Sequence, residues 1–222
     1  MVKAVIFDMY ETLITHYHSP LYFSAQIAAD AGIPVDKFQA LWRPVEQKRT
    51  LGELTFEDTL EFILKENQRY SAELMAKIVE KRKTIKRDCF RHLHPEVIPL
   101  LKRLKENGLA IGLISNCFSE EAEIIRESVL FPYFDAALLS FEQGLQKPDE
   151  RIFIRCMDRL GVEAAECVYV GDGGSLELET ASKFVMKEVQ AVWYLTEDST
   201  HPVKRKPSFP QAETPLEILN YV

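Results

Sequence analysis

The stretch AVIFDMYETL, residues 4–13, runs apolar for four residues and then stops on a carboxylate, Asp8. Val5, Ile6 and Phe7 are β-branched or aromatic, and no polar residue interrupts them. That is how a strand covered on both faces reads, and such strands belong to parallel sheets. In open α/β sheets ligands bind outside the carboxyl ends of the strands, so Asp8 stands where a site forms. Two residues later comes Tyr10, a phenol at the same mouth.

From residue 95 onward, short apolar runs alternate with helical patterns. HPEVIPLLKRLKENG (94–108) puts Val97, Leu100, Leu101 and Leu104 on one helical face and closes on Asn107-Gly108, a C-cap signal. LAIGLIS (109–115) reads as a strand, SEEAEIIRESVL (119–130) as a helix with Ser119 as N-cap, and DAALLS (135–140) as a strand. PDERIFIRCMDRLG (148–161), ECVYVGD (166–172), SLELETASKF (175–184) and EVQAVWYL (188–195) continue as helix, strand, helix and strand. Strands separated by helices of about 10–15 residues predict right-handed βαβ units, hence an α/β fold with a doubly wound parallel sheet. Residues 197–215, rich in proline and polar groups, read as irregular before a short terminal helix.

Residues 19 to 88 break the alternation and read as helices only. Ser19-Pro20 starts one that ends at Gly32, and Asp36 starts another that Pro44 kinks. Thr55 with Asp58 makes a capping box, and Ser71 opens a fourth helix with a basic tail, EKRKTIKR. A helical block inserted after the first strand of a parallel sheet sits above that strand's carboxyl end as a lid. The expected division is a core domain over 1–15 and 90–222 and an all-helical cap domain over 16–89. The chain crosses between them near 15–19 and 88–95, the expected hinges.

Composition narrows the partners. The 222 residues are 46% apolar and 27% charged, with a net charge of -7, which lacks the basic face that nucleic acid needs. No apolar run approaches the roughly 20 residues of a membrane span. The sequence reads as entering a strand at once, and the expectation is that no leader is present. Its four cysteines, Cys89, Cys117, Cys156 and Cys167, show no CxxC spacing and read as reduced thiols. The expectation is a cytoplasmic protein acting on a small molecule, with no nucleic-acid or membrane partner and its oligomeric state open.

The strand ends carry Asp8, Ser115-Asn116, Lys147 and Asp172. Singly these are ordinary: a loop acid, a strand-to-helix turn, a loop charge before a Pro-started helix, a Gly-flanked turn. Brought together they make a carboxylate nucleophile, a hydroxyl donor, a fixed cation and a second carboxylate for a divalent metal. That set suits attack on a phosphoryl group.

In this order, and on these elements, the motifs resemble the haloacid dehalogenase-like (HAD) hydrolase superfamily, helical-cap subclass, over nearly the whole chain. FDMYETL is similar to its first motif, LISN to its second, GLQKPDERIF to its third and VGDGGSLELETA to its fourth. The resemblance implies that Asp8 forms an aspartyl intermediate, and that Mg²⁺ is held by Asp8, the Tyr10 carbonyl and Asp172, with Glu177 as the second acid. It also implies that Ser115 and Asn116 bind the phosphoryl oxygens and that Lys147 holds its charge against Asp8 and the substrate. Thr12 orients the loop.

The departures are specific. Tyr10 replaces the usual second Asp, the general acid/base, and so resembles the 2-haloacid dehalogenases, which also carry a Trp-Arg pair in the cap, as in LWRP here. Arg43 is then a candidate carboxylate clamp. Those enzymes use no metal and usually lack the Gly-Asp of the fourth motif, which Gly171-Asp172 retains. Glu11 replaces a common Gly, Glu177 an Asp, and Thr180, Phe184 and Val185 stand where small residues are usual. The expected function is a Mg²⁺-dependent phosphatase acting on a small phosphorylated metabolite. A metal-free 2-haloacid dehalogenase and a catalytically weak binding module are the alternatives. Two H-x-H pairs, His16/His18 and His92/His94, flank the cap and read as hinge residues, a stray imidazole near the active site, or a shared zinc site.

Overall fold

The computed structural model describes residues 1–195 and 203–222. β1 (Ala4–Phe7) is buried along its whole length. After it come five helices: α1 (Ser24–Ala31), α2 (Val35–Trp42), α3 (Glu46–Thr50), α4 (Phe56–Glu66) and α5 (Ala72–Asp88). The chain then alternates through α6 (Val97–Glu106), β2 (Ala110–Ser115), α7 (Ser119–Glu127), β3 (Ala136–Leu139), α8 (Ser140–Gln143) and α9 (Glu150–Leu160). β4 (Cys167–Gly171), α10 (Glu177–Lys183), β5 (Lys187–Ala191) and β6 (Gln211–Ala212) follow, and a 3₁₀ helix covers Pro215–Tyr221.

The six strands pair in parallel in the order β3-β2-β1-β4-β5-β6. Alternation within each strand supplies two cores. Val5, Phe7, Ile111, Leu113, Val168 and Val170 pack with α6 and α7, while Ala4, Ile6, Cys167 and Tyr169 pack with α9 and α10. From β1 the chain steps outward to β2 and β3 on one side, then returns to β4 on the other. The topological switch therefore lies between β1 and β4, whose ends carry Asp8 and Asp172.

The helical insertion between β1 and β2 has a hydrophobic cluster of its own around Ile27, Phe38, Trp42, Phe56, Leu60, Ile63 and Ile78. Buried charge joins it to the sheet domain. On α5, Arg82 donates to Glu120 (3.0 Å) and Glu121 (3.2 Å) of α7, and Lys86 Nζ sits 2.6 Å from Glu121. Lys83–Glu123 and Arg87–Glu127 extend the ladder at the surface. Ser119 Oγ accepts the Phe56 N–H at the start of α4 (2.9 Å). Farther along, the Arg49 guanidinium lies 3.6 Å over the Trp42 ring and 4.5 Å from Phe118 at the head of α7. Its Nε and Nη1 have no partner among the described residues.

Several elements depart from the sequence reading. The first cap helix begins at Ser24 rather than Ser19-Pro20, because Arg82 takes the Tyr22 carbonyl (2.6 Å) and Gln26 takes the Phe23 N–H. Pro44 does not kink one helix. It sits in a 3₁₀ turn, Arg43–Val45, that separates α2 from α3. Ser119 is the first residue of α7 rather than its cap, since its hydroxyl faces Phe56 and Glu121 takes the Phe118 N–H. The last long strand stops at Ala191, where Trp193 turns to donate to the Thr12 carbonyl (2.8 Å). β6 lies inside the stretch read as irregular, of which 197–202 are outside the described residues. No helix among the described residues is long and apolar enough to cross a membrane.

Candidate active site

Asp8 follows β1 and donates its N–H to the Val170 carbonyl, so the acid is fixed by the sheet itself. Its Oδ1 accepts the Met9 N–H (2.7 Å) and lies 2.5 Å from Lys147 Nζ. Asn116, just past β2, fixes that lysine by its main chain: its Oδ1 accepts the Lys147 N–H (2.8 Å), and its Nδ2 donates to the Lys147 carbonyl (3.0 Å). Burial pushes the Asp8 carboxyl up to about 6, against the pull of Lys147. Burial alone would discharge Lys147, but Asp8, Glu177 and Asp172 outweigh it and hold the ammonium charged.

Beside this pair stand two more buried acids. Oxygens of Asp8, Asp172 and Glu177 lie within 4.8 Å of one another. Burial first, then the charges of Asp8 and Glu177, raises the Asp172 carboxyl well above its ordinary value. Burial also opposes the charge on Glu177, yet Lys147 and the Gly173 and Ser175 N–H groups prevail and lower it. Those amides donate to its two oxygens at 2.8 and 2.6 Å, so Glu177 shapes the loop after β4 from beneath. Three carboxylates face one ammonium. The excess of buried negative charge is what a hard divalent cation with oxygen ligands balances, and the donor set fits one.

A cavity of about 270 Å³ opens over Asp8, lined also by Tyr10, Glu11, His16, Lys147 and Asp172. The Tyr10 hydroxyl is buried without a partner among the described residues, and its ring stacks on His16 with centroids 4.5 Å apart. Burial and Glu121 push that phenol well above its ordinary value. Ser115 Oγ, at the end of β2, is likewise buried and unpartnered, as is Thr12 Oγ1. Arg43 is not brought to Asp8. It lines an adjoining cavity of about 640 Å³, which shares Asn116 and Ser175 with the first, and its guanidinium donates to Gln39 (2.6 Å).

Glu11, read from the sequence only as a constraint on the loop, and His16, read as a hinge residue or an imidazole near the active site, both line the cavity. Glu11 holds φ 59° and accepts from Thr15 and the His16 N–H, so a residue in a glycine-favouring conformation folds the loop onto itself. The signal was legible, since Glu11 stands where a Gly is usual. The two H-x-H pairs form no shared zinc site among the described residues. His16 stacks on Tyr10, His18 and His94 both pack on Tyr194, and His92 faces Asp88.

Comparison with known proteins finds both phosphatases and haloacid dehalogenases among the relatives. Over 86% of this chain and 84% of its own length, a glyceraldehyde 3-phosphate phosphatase from Methanopyrus kandleri is 29% identical. An (S)-2-haloacid dehalogenase from Burkholderia cepacia is 25% identical over 85% of this chain and 82% of its own. Among solved structures, a 2-haloacid dehalogenase from Pseudomonas syringae superposes with a TM-score of 0.67 at 20% identity, covering 99% of this chain and 97% of that one. The sequence profile of the haloacid dehalogenase-like hydrolases matches residues 2–184, from the first strand through α10. This chain belongs to the haloacid dehalogenase-like hydrolase family.

Proposed function

We propose that the protein is a Mg²⁺-dependent phosphatase that hydrolyses a small phosphorylated metabolite through an aspartyl-phosphate at Asp8. The observation that carries this reading is the trio Asp8, Asp172 and Glu177 facing a single Lys147. A metal-free carboxylate nucleophile needs one cation beside it, and Lys147 already serves. Glu177 is held by backbone N–H groups, but Asp172, whose carboxyl is raised, needs another. Mg²⁺ held by Asp8, Asp172 and the Tyr10 carbonyl, with Glu177 behind the loop, would supply charge neutralisation for the phosphoryl oxygens.

The chain's own residues do the rest. Asp8 Oδ1 is taken by Lys147 and Met9, and Oδ2 carries neither bond. One carboxylate oxygen attacks phosphorus, the bond to the leaving oxygen breaks, and the departing oxyanion takes a proton from water. Water then attacks the acyl phosphate, releasing inorganic phosphate and restoring Asp8. Ser115 Oγ, buried and unpartnered, is available to donate to a phosphoryl oxygen. Asn116 acts on Lys147 by holding its main chain. Arg43, in the adjoining cavity, would meet the leaving group rather than the phosphoryl group.

The test is phosphate release from a panel of esters with Mg²⁺ and with EDTA, alongside Asp8→Asn and Asp172→Asn. Activity that needs Mg²⁺ and both acids supports the reading; turnover unchanged in EDTA removes it. Tyr10 favours a second reading, hydrolytic dehalogenation of a 2-haloacid with Asp8 attacking carbon. Halide release from 2-chloropropionate in EDTA decides for that one.

A further inference from the structure

Beyond the three acids, the loop after β4 has an outer support. Gln190 on β5 is fully buried. Its Nε2 donates to the Asp172 carbonyl (2.8 Å) and to the Lys204 carbonyl (3.0 Å). Its Oε1 accepts the Lys206 N–H (2.7 Å) and Gln211 Nε2 (3.4 Å). A primary amide offers two donors and two acceptor positions, and here all four are used. Two carbonyls lie on the nitrogen side and two N–H groups on the oxygen side, so a flipped amide would set like against like. Glutamate cannot donate to either carbonyl, and a shorter side chain cannot span them.

The segment that Gln190 grips is bonded to the same loop a second time. Lys206 Nζ donates to the Gly173 carbonyl (2.9 Å) and to Glu179 (2.7 Å). Gly173 has φ 94°, and a Cβ there would meet Lys206 Cε at 3.1 Å. At Gly174 a Cβ would meet Val203 at 3.1 Å and Asp172 Oδ1 at 3.2 Å. The loop thus runs between Glu177 on the inside and the 203–206 segment on the outside, packed closely enough that a Cβ at either glycine would press its neighbour.

We infer that Gln190 is a positioning residue for the cation: by tying the Asp172 main chain to residues 204–206, it fixes the direction in which the Asp172 carboxylate meets the metal. This rests on the Mg²⁺ reading above. Cation affinity then depends on a residue that touches neither metal nor substrate.

Calorimetric titration of the full chain with Mg²⁺ tests it, with Asp172→Asn as the blank and circular dichroism as the check on folding. Gln190→Glu is expected to weaken Mg²⁺ binding at least tenfold and to lower kcat, with KM for the phosphate ester little changed when Mg²⁺ is saturating. Gln190→Met, uncharged and of similar length but unable to bond the Asp172 carbonyl, is expected to weaken Mg²⁺ binding likewise; it carries the test should Gln190→Glu fail to fold. Wild-type affinity in either folded variant overturns the inference and leaves the metal reading intact. A wild-type chain that binds no Mg²⁺ overturns both.

Discussion

Tyr10 sets the limit on the chemistry at the scale of a residue. A positioned general acid contributes about 10²–10⁴-fold when the leaving oxygen is basic. The phenol here is buried and pushed well above its ordinary value, so it neither gives up a proton readily nor serves as a base. Aryl and acyl phosphates depart without that help, whereas alkyl phosphates need it. Turnover of an aryl phosphate should exceed that of a sugar phosphate by about 100-fold or more, and Tyr10→Asp should narrow the gap by raising the alkyl rate. Equal rates on the two esters in the wild type would sink this account. Asp8 and Asp172 were legible in the sequence because each follows an apolar strand, and a parallel sheet gathers such ends; Lys147 was legible through its Lys-Pro motif, since α8 separates it from β3. Gln190 and Arg49 were not legible. Gln190 bonds residues that the sequence does not bring near it, and Arg49 meets Phe118 only once the cap is docked.

The ladder between α5 and α7 decides how the cap behaves as an element. A swing about 15–19 and 88–95 has to open Arg82–Glu120, Arg82–Glu121 and Lys86–Glu121, all nearly solvent-free. Breaking a buried pair by removing one partner costs roughly 3–5 kcal/mol, because the other charge stays buried. Glu121→Ala should therefore lower stability by about that amount, read from denaturant midpoints. The pH dependence has a definite sign. Burial opposes the charge on Glu121, but Lys86 and Arg82 outweigh it and bring its carboxyl to about 2. A depressed carboxyl stabilises the fold above its unfolded value, near ~4.3, and that contribution fades as pH falls toward 2. Glu121→Gln should flatten stability across that acid window. The alternation of strands and helices gave the order of the core correctly, because burial on both faces leaves a plain mark. The mark fails where local bonds compete. Arg82 holds the chain before α1 out of the helix, Pro44 divides α2 from α3, and β6 has only two residues between turns.

Taken whole, the molecule folds at neutral pH around acids that repel one another, and this gives its stability a second pH dependence of opposite sign. Asp8 and Asp172 both have raised carboxyls, and at Asp8 the folded chain binds its proton more tightly than the unfolded chain between ~3.9 and about 6. This contribution to stability grows as pH falls through that window. Mg²⁺ should relieve the same repulsion without acid, adding about 2.7 kcal/mol at a hundredfold excess over Kd. Melting curves should show a gain from Mg²⁺ at pH 7.5 that shrinks at pH 5, and Asp172→Asn should remove it. A gain independent of pH would place the ion elsewhere. Another consequence follows from the Arg49 sandwich. Trp42 and Arg49 belong to the cap and Phe118 to the core, whereas the other indole, Trp193, is held to Thr12. Separating cap from core exposes one face of the guanidinium to water and changes the field over Trp42, while Trp193 stays as it was. With Trp193→Phe in place, the emission of the remaining indole becomes a built-in optical gauge of cap position, readable in stopped flow with no dye attached.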